Sequence, residues 1–145
     1  MNITPKQYNK MAQKASPRSK SIINIPVAFV IGGLICVIGQ IIMNIFKSAG
    51  LSKEMAGTWT SVILILTSAV LTGTGIYEKI AKHAGAGTLV PITGFANAVV
   101  SPALESKTEG MILGTGAKIF SIAGPVILYG VAASFIYGIV YYIIS

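Results

Sequence analysis

From Ser21 to Phe46 the chain runs for 26 residues without a charged side chain. About 20 consecutive apolar residues are enough for a helix to cross a ~30 Å hydrocarbon core. A secretory signal would offer a shorter apolar core, about 7–15 residues, and a small-x-small cleavage site after it. No such site follows, so the run reads as a retained transmembrane helix. Charged residues make up only 10% of the chain and the mean hydropathy is +0.75. A soluble domain carries about 25% charged residues. Lipid is therefore expected to be the main solvent of this protein.

Three further segments extend the pattern. The first span is placed at 24–46, with Pro26 in its first turn, where a missing N–H is harmless. The second, 55–77, has Trp59 and Tyr77 near opposite ends, as interfacial anchors. The third covers 84–104 and the fourth 119–144, with Pro125 expected to kink the last one near Gly124. Met111 to Ala117 is apolar and rich in glycine, and too short to span; a dip into the membrane is expected there. The fold class is thus an all-α polytopic membrane protein with about four hydrophobic segments, the third broken by Pro and Gly and open to a re-entrant reading. Residues 1–21 form a basic tail ahead of a bundle covering 22–145.

The tail holds Lys6, Lys10, Lys14, Arg18 and Lys20, five of the eleven basic residues, and no acid. Each later loop has two Lys or Arg, so the positive-inside rule places the N-terminus in the cytoplasm. If the third segment crosses, the C-terminus is inside; if it re-enters, outside. Thr4-Pro5 marks a helix start, and Lys6, Lys10 and Lys14 then share a face. That face suits anionic headgroups, each basic residue contributing about 1 kcal/mol; the alternative is an unstructured tail that only sets topology. A nucleic-acid partner is not expected, because basic residues interleaved with aromatics on a folded face are missing.

No catalytic residue, metal set or cofactor is expected. His83 is the one histidine and Cys36 the one cysteine. The four acids, Glu54, Glu78, Glu105 and Glu109, all flank the spans. A proton-coupled transporter needs an ionisable group inside the membrane. "GTGIYEK" and "GTGAK" lack the spacing of a phosphate-binding loop.

What remains is a pattern of small and neutral polar residues: Gly33, Gln40 and Asn44; Thr60/Ser61, Thr67/Ser68 and Thr72; Gly130, Ser134 and Gly138. Helix packing would explain it, since small residues let backbones approach and hydroxyls bond across. A second reading lets some faces line an aqueous path, with Gln40 and Asn44 foremost. The third segment sharpens this. Non-helical backbone at membrane depth survives only when buried in protein or beside water, and broken helices point to permeation sites. Freed backbone at Pro91–Gly94 and the amide of Asn97 would face a permeant. Glu105 and Glu109 would flank its mouth, or sit in a solvated loop with Lys107.

The stretch "GAGTLVPITGFANAVVSPALESKTEGMILGTGAKIFSIAGPVILYG" closely resembles the signature of the SpoVAC/SpoVAEb family of stage V sporulation membrane proteins. "GGLICVIGQ" and "LTGTGIYEKI" resemble it too. The basic tail looks like the AC branch, and "AGPVILYG" like the AEb branch. The resemblance implies a spore inner-membrane complex that moves dipicolinic acid, as its calcium chelate, into the forespore and out at germination. It implies a channel subunit opened by membrane tension or partners, working as a homo-oligomer or with an AEb-type subunit and a soluble dipicolinate-binding AD-type protein. A non-conducting scaffold that docks that soluble protein is the alternative. The matching motif positions are Pro91, Gly94, Phe95, Asn97, Glu105, Glu109, Gly110 and Gly114.

Overall fold

The computed structural model describes residues 4–15 and 20–144, with the side chains of 13 and 14 left aside. Among the described residues there is helix and turn and no strand. Helix α1 spans Pro5–Ala15. It starts with a capping box: the Gln7 amide N–H donates to Thr4 Oγ1 (3.4 Å), while Gln7 Oε1 accepts from the Thr4 N–H (3.1 Å).

Helix α2 runs Ser21–Ser48, longer than the segment read from hydropathy. Pro26 is therefore inside the helix and not in its first turn. The carbonyl four residues earlier, on Ile22, loses its intrahelical donor. Ile22 itself is 90% exposed near the helix start.

Helix α3 covers Lys53–Gly73. Ser52 caps it, its Oγ accepting from the Met55 N–H at 3.3 Å. It stops four residues short of the expected end. Gly75 has φ +71°, a left-handed conformation that ends a helix cheaply only at glycine. A separate helix α4, Ile76–Ala84, follows. Tyr77 is consequently no interfacial anchor: it is 5% exposed, and its hydroxyl donates to the Thr88 carbonyl at 2.8 Å.

The third segment splits in two. Gly85–Thr88 makes a 3₁₀ turn entered through Gly85 at φ +52°. Helix α5 then runs Pro91–Glu105. Pro91 stands at its start, where a missing N–H costs nothing, and holds Val90 in the extended region. Pro102 lies inside α5, three residues from its end. The freed backbone expected at Pro91–Gly94 is thus helical, and the irregular backbone sits just ahead of it.

A 3₁₀ turn at Ser106–Glu109 and Gly110 (φ +97°) reverse the chain. Met111–Gly116 is π-helical and passes without a break into helix α6, Ala117–Ile144. Together they form one 34-residue apolar element. The separate dip expected at 111–117 is therefore the first turns of the last span. Pro125 lies within α6.

Three helical elements are long and apolar enough to cross a membrane: Ser21–Ser48, Lys53–Gly73 and Met111–Ile144. At 1.5 Å per residue, α5 is only about 22 Å long. Helices α2 and α3 pack antiparallel. Phe46 meets Trp59 at the loop end, ring centroids 6.5 Å apart. A Cβ on Gly39 would touch Leu64 at 3.4 Å. Ile31 and Leu71 wall one cavity at the far end.

Candidate functional site

The residues that matter gather where α5 begins. Three glycines make the approach. A Cβ on Gly87 would lie 2.5 Å from the Ala28 carbonyl oxygen, and one on Gly32 3.2 Å from the Gly87 carbonyl oxygen. The 3₁₀ turn therefore lies backbone to backbone on α2, which only glycine permits. A Cβ on Gly94 would stand 2.9 Å from the Thr88 carbonyl oxygen. The chain can fold back over Leu89 and Val90 because that side chain is missing.

Two hydrogen bonds then tie α5 to α3. Ser68 Oγ donates to the Thr93 carbonyl at 2.7 Å, with Ser68 only 2% exposed. Thr72 Oγ1 donates to Asn97 Oδ1 at 2.9 Å and also lies 2.7 Å from the Ser68 carbonyl. In both pairs the partners are 25 residues apart. One turn forward on α3 meets one turn forward on α5, so the two helices run in the same direction. The other hydroxyls of α3 reach only their own backbone. Thr58, Thr60, Ser61 and Thr67 each bond a carbonyl four residues back on their own helix.

A cavity of roughly 210 Å³ lies under this junction, walled by Leu34, Leu64, Leu71, Tyr77, Thr88 and Thr93 among others. It is almost wholly apolar. Thr93 Oγ1 is buried with no hydrogen-bond partner among the described residues. A desolvated, unpaired hydroxyl costs about 1–3 kcal/mol.

Of the residues singled out from sequence, Pro91, Gly94 and Asn97 meet here. Phe95 is on α5 but 40% exposed. Glu105 and Glu109 are exposed at the far end of α5 and its turn. Gly110 and Gly114 belong to the reversal before α6. A Cβ on Gly114 would collide with the Ser106 carbonyl oxygen, so this glycine closes the turn. Gln40 and Asn44 stand apart from the junction: both are exposed, and Gln40 Nε2 donates to Asn44 Oδ1 at 2.9 Å. Gly33 meets nothing within 4 Å; its neighbour Gly32 makes the contact. Gly130 and Gly138 on α6 also meet nothing. Lys6, Lys10 and Lys20 are exposed; Arg18 and the Lys14 side chain lie outside the described residues. Among the described residues no three His, Cys, Asp or Glu side chains come together as a metal site.

Gly87, Thr88 and Ser68 were not singled out as site residues. The run Gly85-Ala86-Gly87-Thr88 directly before Leu89-Val90-Pro91 was the available signal. Small residues before a proline mark a place where backbone approaches backbone.

Apolar spans of these lengths, with a broken helical element packed between two of them by glycines and hydroxyls, define a polytopic α-helical membrane protein. The family model for the SpoVAC/SpoVAEB sporulation membrane protein matches residues 24–140, and the chain belongs to that family. It is 44% identical over 134 residues to stage V sporulation protein AC of Bacillus subtilis (strain 168), covering 92% of this chain and 89% of that relative. No solved structure matches it.

Proposed function

We propose that this protein is a subunit of a spore inner-membrane channel that moves dipicolinic acid, as its calcium chelate, into the forespore during sporulation and out at germination. The observation that carries the reading is the α5 junction, where polar side chains and an irregular turn sit among apolar spans. Non-helical backbone among membrane spans persists where protein or water shelters it, and broken helices of this kind frame permeation sites. Dipicolinate is a small dianion and its calcium chelate is near neutral. Amides, hydroxyls and backbone dipoles suit such a permeant better than a ring of acids.

The path lies between chains and not through one. The cavity inside a single chain is walled mostly by leucines, isoleucines and threonines, and three spans with one short helix bury too little to enclose a wide pore. Several copies, or copies with an AEb-type subunit, surround the path, with a soluble dipicolinate-binding protein docked on the assembly. Tension or a partner opens it by moving α5 against α3. The tail, α1 with Lys6 and Lys10, rests on anionic headgroups of the cytoplasmic leaflet.

Single-channel recording on purified protein in liposomes tests this. Stepwise, tension-dependent currents are expected, together with loss of dipicolinate uptake in sporulating cells carrying Asn97→Leu. Electrical silence in every lipid and with every partner added would leave only the scaffold reading.

A further inference from the structure

We infer that Gly85–Glu105 is a re-entrant hairpin that enters and leaves the same face of the membrane, so the chain crosses three times and the end of α6 lies opposite the start of α2. The direction of α5 decides this. Successive crossings of a membrane alternate in direction. A fourth crossing at α5 would have to run against α3, because α4 and its short turns are too brief to cross back. The bonds Ser68 to Thr93 and Thr72 to Asn97 show α5 running with α3.

The depth of each contact agrees. Helix α4, nine residues and about 14 Å long, completes the descent of α3. Its end, Lys82 to Ala84, lies against Asn24, Ile25 and Ala28 near the start of α2. The chain then climbs. Gly87 packs on Ala28 and Gly32, seven and eleven residues into α2, or about 10–17 Å along its axis. Thr93 reaches Ser68, which shares a cavity wall with Ile35 and Ile38. From there α5 descends about 22 Å, enough to return to the starting face and not to reach the other. Ser106–Glu109, with Lys107 and Glu109 exposed, fits that face.

The charges give an independent check. With a re-entrant hairpin, nine of the eleven Lys and Arg residues share the face of the tail, and only Lys47 and Lys53 lie on the other. A fourth crossing would move Lys107 and Lys118 across and leave seven against four. The positive-inside rule favours the first arrangement.

Single cysteines in the full-length chain, with Cys36→Ser as background, test the proposal using a membrane-impermeant maleimide on right-side-out and inverted vesicles. Lys20→Cys, His83→Cys and Thr108→Cys are expected to label from one face, and Ser48→Cys and Ile144→Cys from the other. Thr108→Cys labelling with Ser48→Cys, and Ile144→Cys with Lys20→Cys, would overturn it, as would labelling of any site from both faces. Leu89→Cys, at the hairpin tip, is a second readout. It should label at least tenfold more slowly than His83→Cys until detergent is added; equal rates would place the tip in an ordinary loop and sink the idea. The assay needs no conduction, so its result stands whether or not dipicolinate passes.

Discussion

Helices α5 and α6 are both apolar, yet the molecule treats them differently. Helix α5 buries Thr93, Ala96 and Ala103 and takes two hydrogen bonds from α3. Helix α6 buries none of its described residues, and Ile119 in its first turn lines a cavity with Val99, Val100 and Ala103 of α5. Apolarity cannot distinguish them, because lipid tails are as apolar as leucine and give no hydrophobic drive to pack. Small residues and hydroxyls do. On α5 they are spent within the chain. On α6, Gly130, Ser134 and Gly138 are left facing outward, available to lipid or to another subunit.

The largest effect should come from breaking the packed side of this comparison. Gly87→Leu drives a Cβ into the Ala28 backbone, which has no flexible end to yield. Overpacking costs about 1–3 kcal/mol, and the upper end is expected here. A denaturant titration in detergent micelles should show it, and Gly130→Leu, with open space around it, should leave the midpoint in place. Equal effects at the two glycines would erase the contrast.

The hydrogen-bonded contact comes next. A double-mutant cycle of Thr72→Val with Asn97→Leu should give a coupling of about 0.6 kcal/mol, and at most about 1.7. Additive losses would mean that the bond does not hold α5 to α3. Thr93→Val tests the opposite sign. Its hydroxyl is buried without a partner, so an isosteric methyl should leave stability equal or raise it by about 1 kcal/mol; a clear loss would show that the hydroxyl has a partner in the membrane.

The smallest change is expected at Gln40→Leu. Gln40 and Asn44 satisfy each other on an exposed face, so the isolated chain should change by less than about 0.5 kcal/mol. If the proposed dipicolinate transport in spores nevertheless falls, the pair faces another subunit, and α2 joins α6 on the outward side of the comparison.

Hydropathy sufficed to locate the spans because lipid imposes one simple demand, about twenty apolar residues. It failed at their ends, where glycine geometry rules. The stop at Gly73 depends on the left-handed Gly75, and nothing in the apolar run through Tyr77 announces it. The third segment was legible as broken, but the break was placed at the proline. Pro91 opens a helix as comfortably as it interrupts one, and the irregular backbone went to the glycines before it. Asn97 stood out because a large amide in an apolar stretch needs a partner. Ser68 did not, since four other hydroxyls on the same helix bond only their own backbone, and only the fold shows which ones reach across. Gln40 and Asn44 had the same claim as Asn97 and met only each other.

The ring contact between Phe46 and Trp59 has a practical consequence. Trp59 is the sole indole in the chain, and it sits where α2 hands over to α3. Its fluorescence therefore reports on that one hinge without any added dye. Should stretching the bilayer splay the first two helices, the emission colour would change as the indole parts from the phenyl ring; should the motion be confined to the hairpin, the same light would stay still.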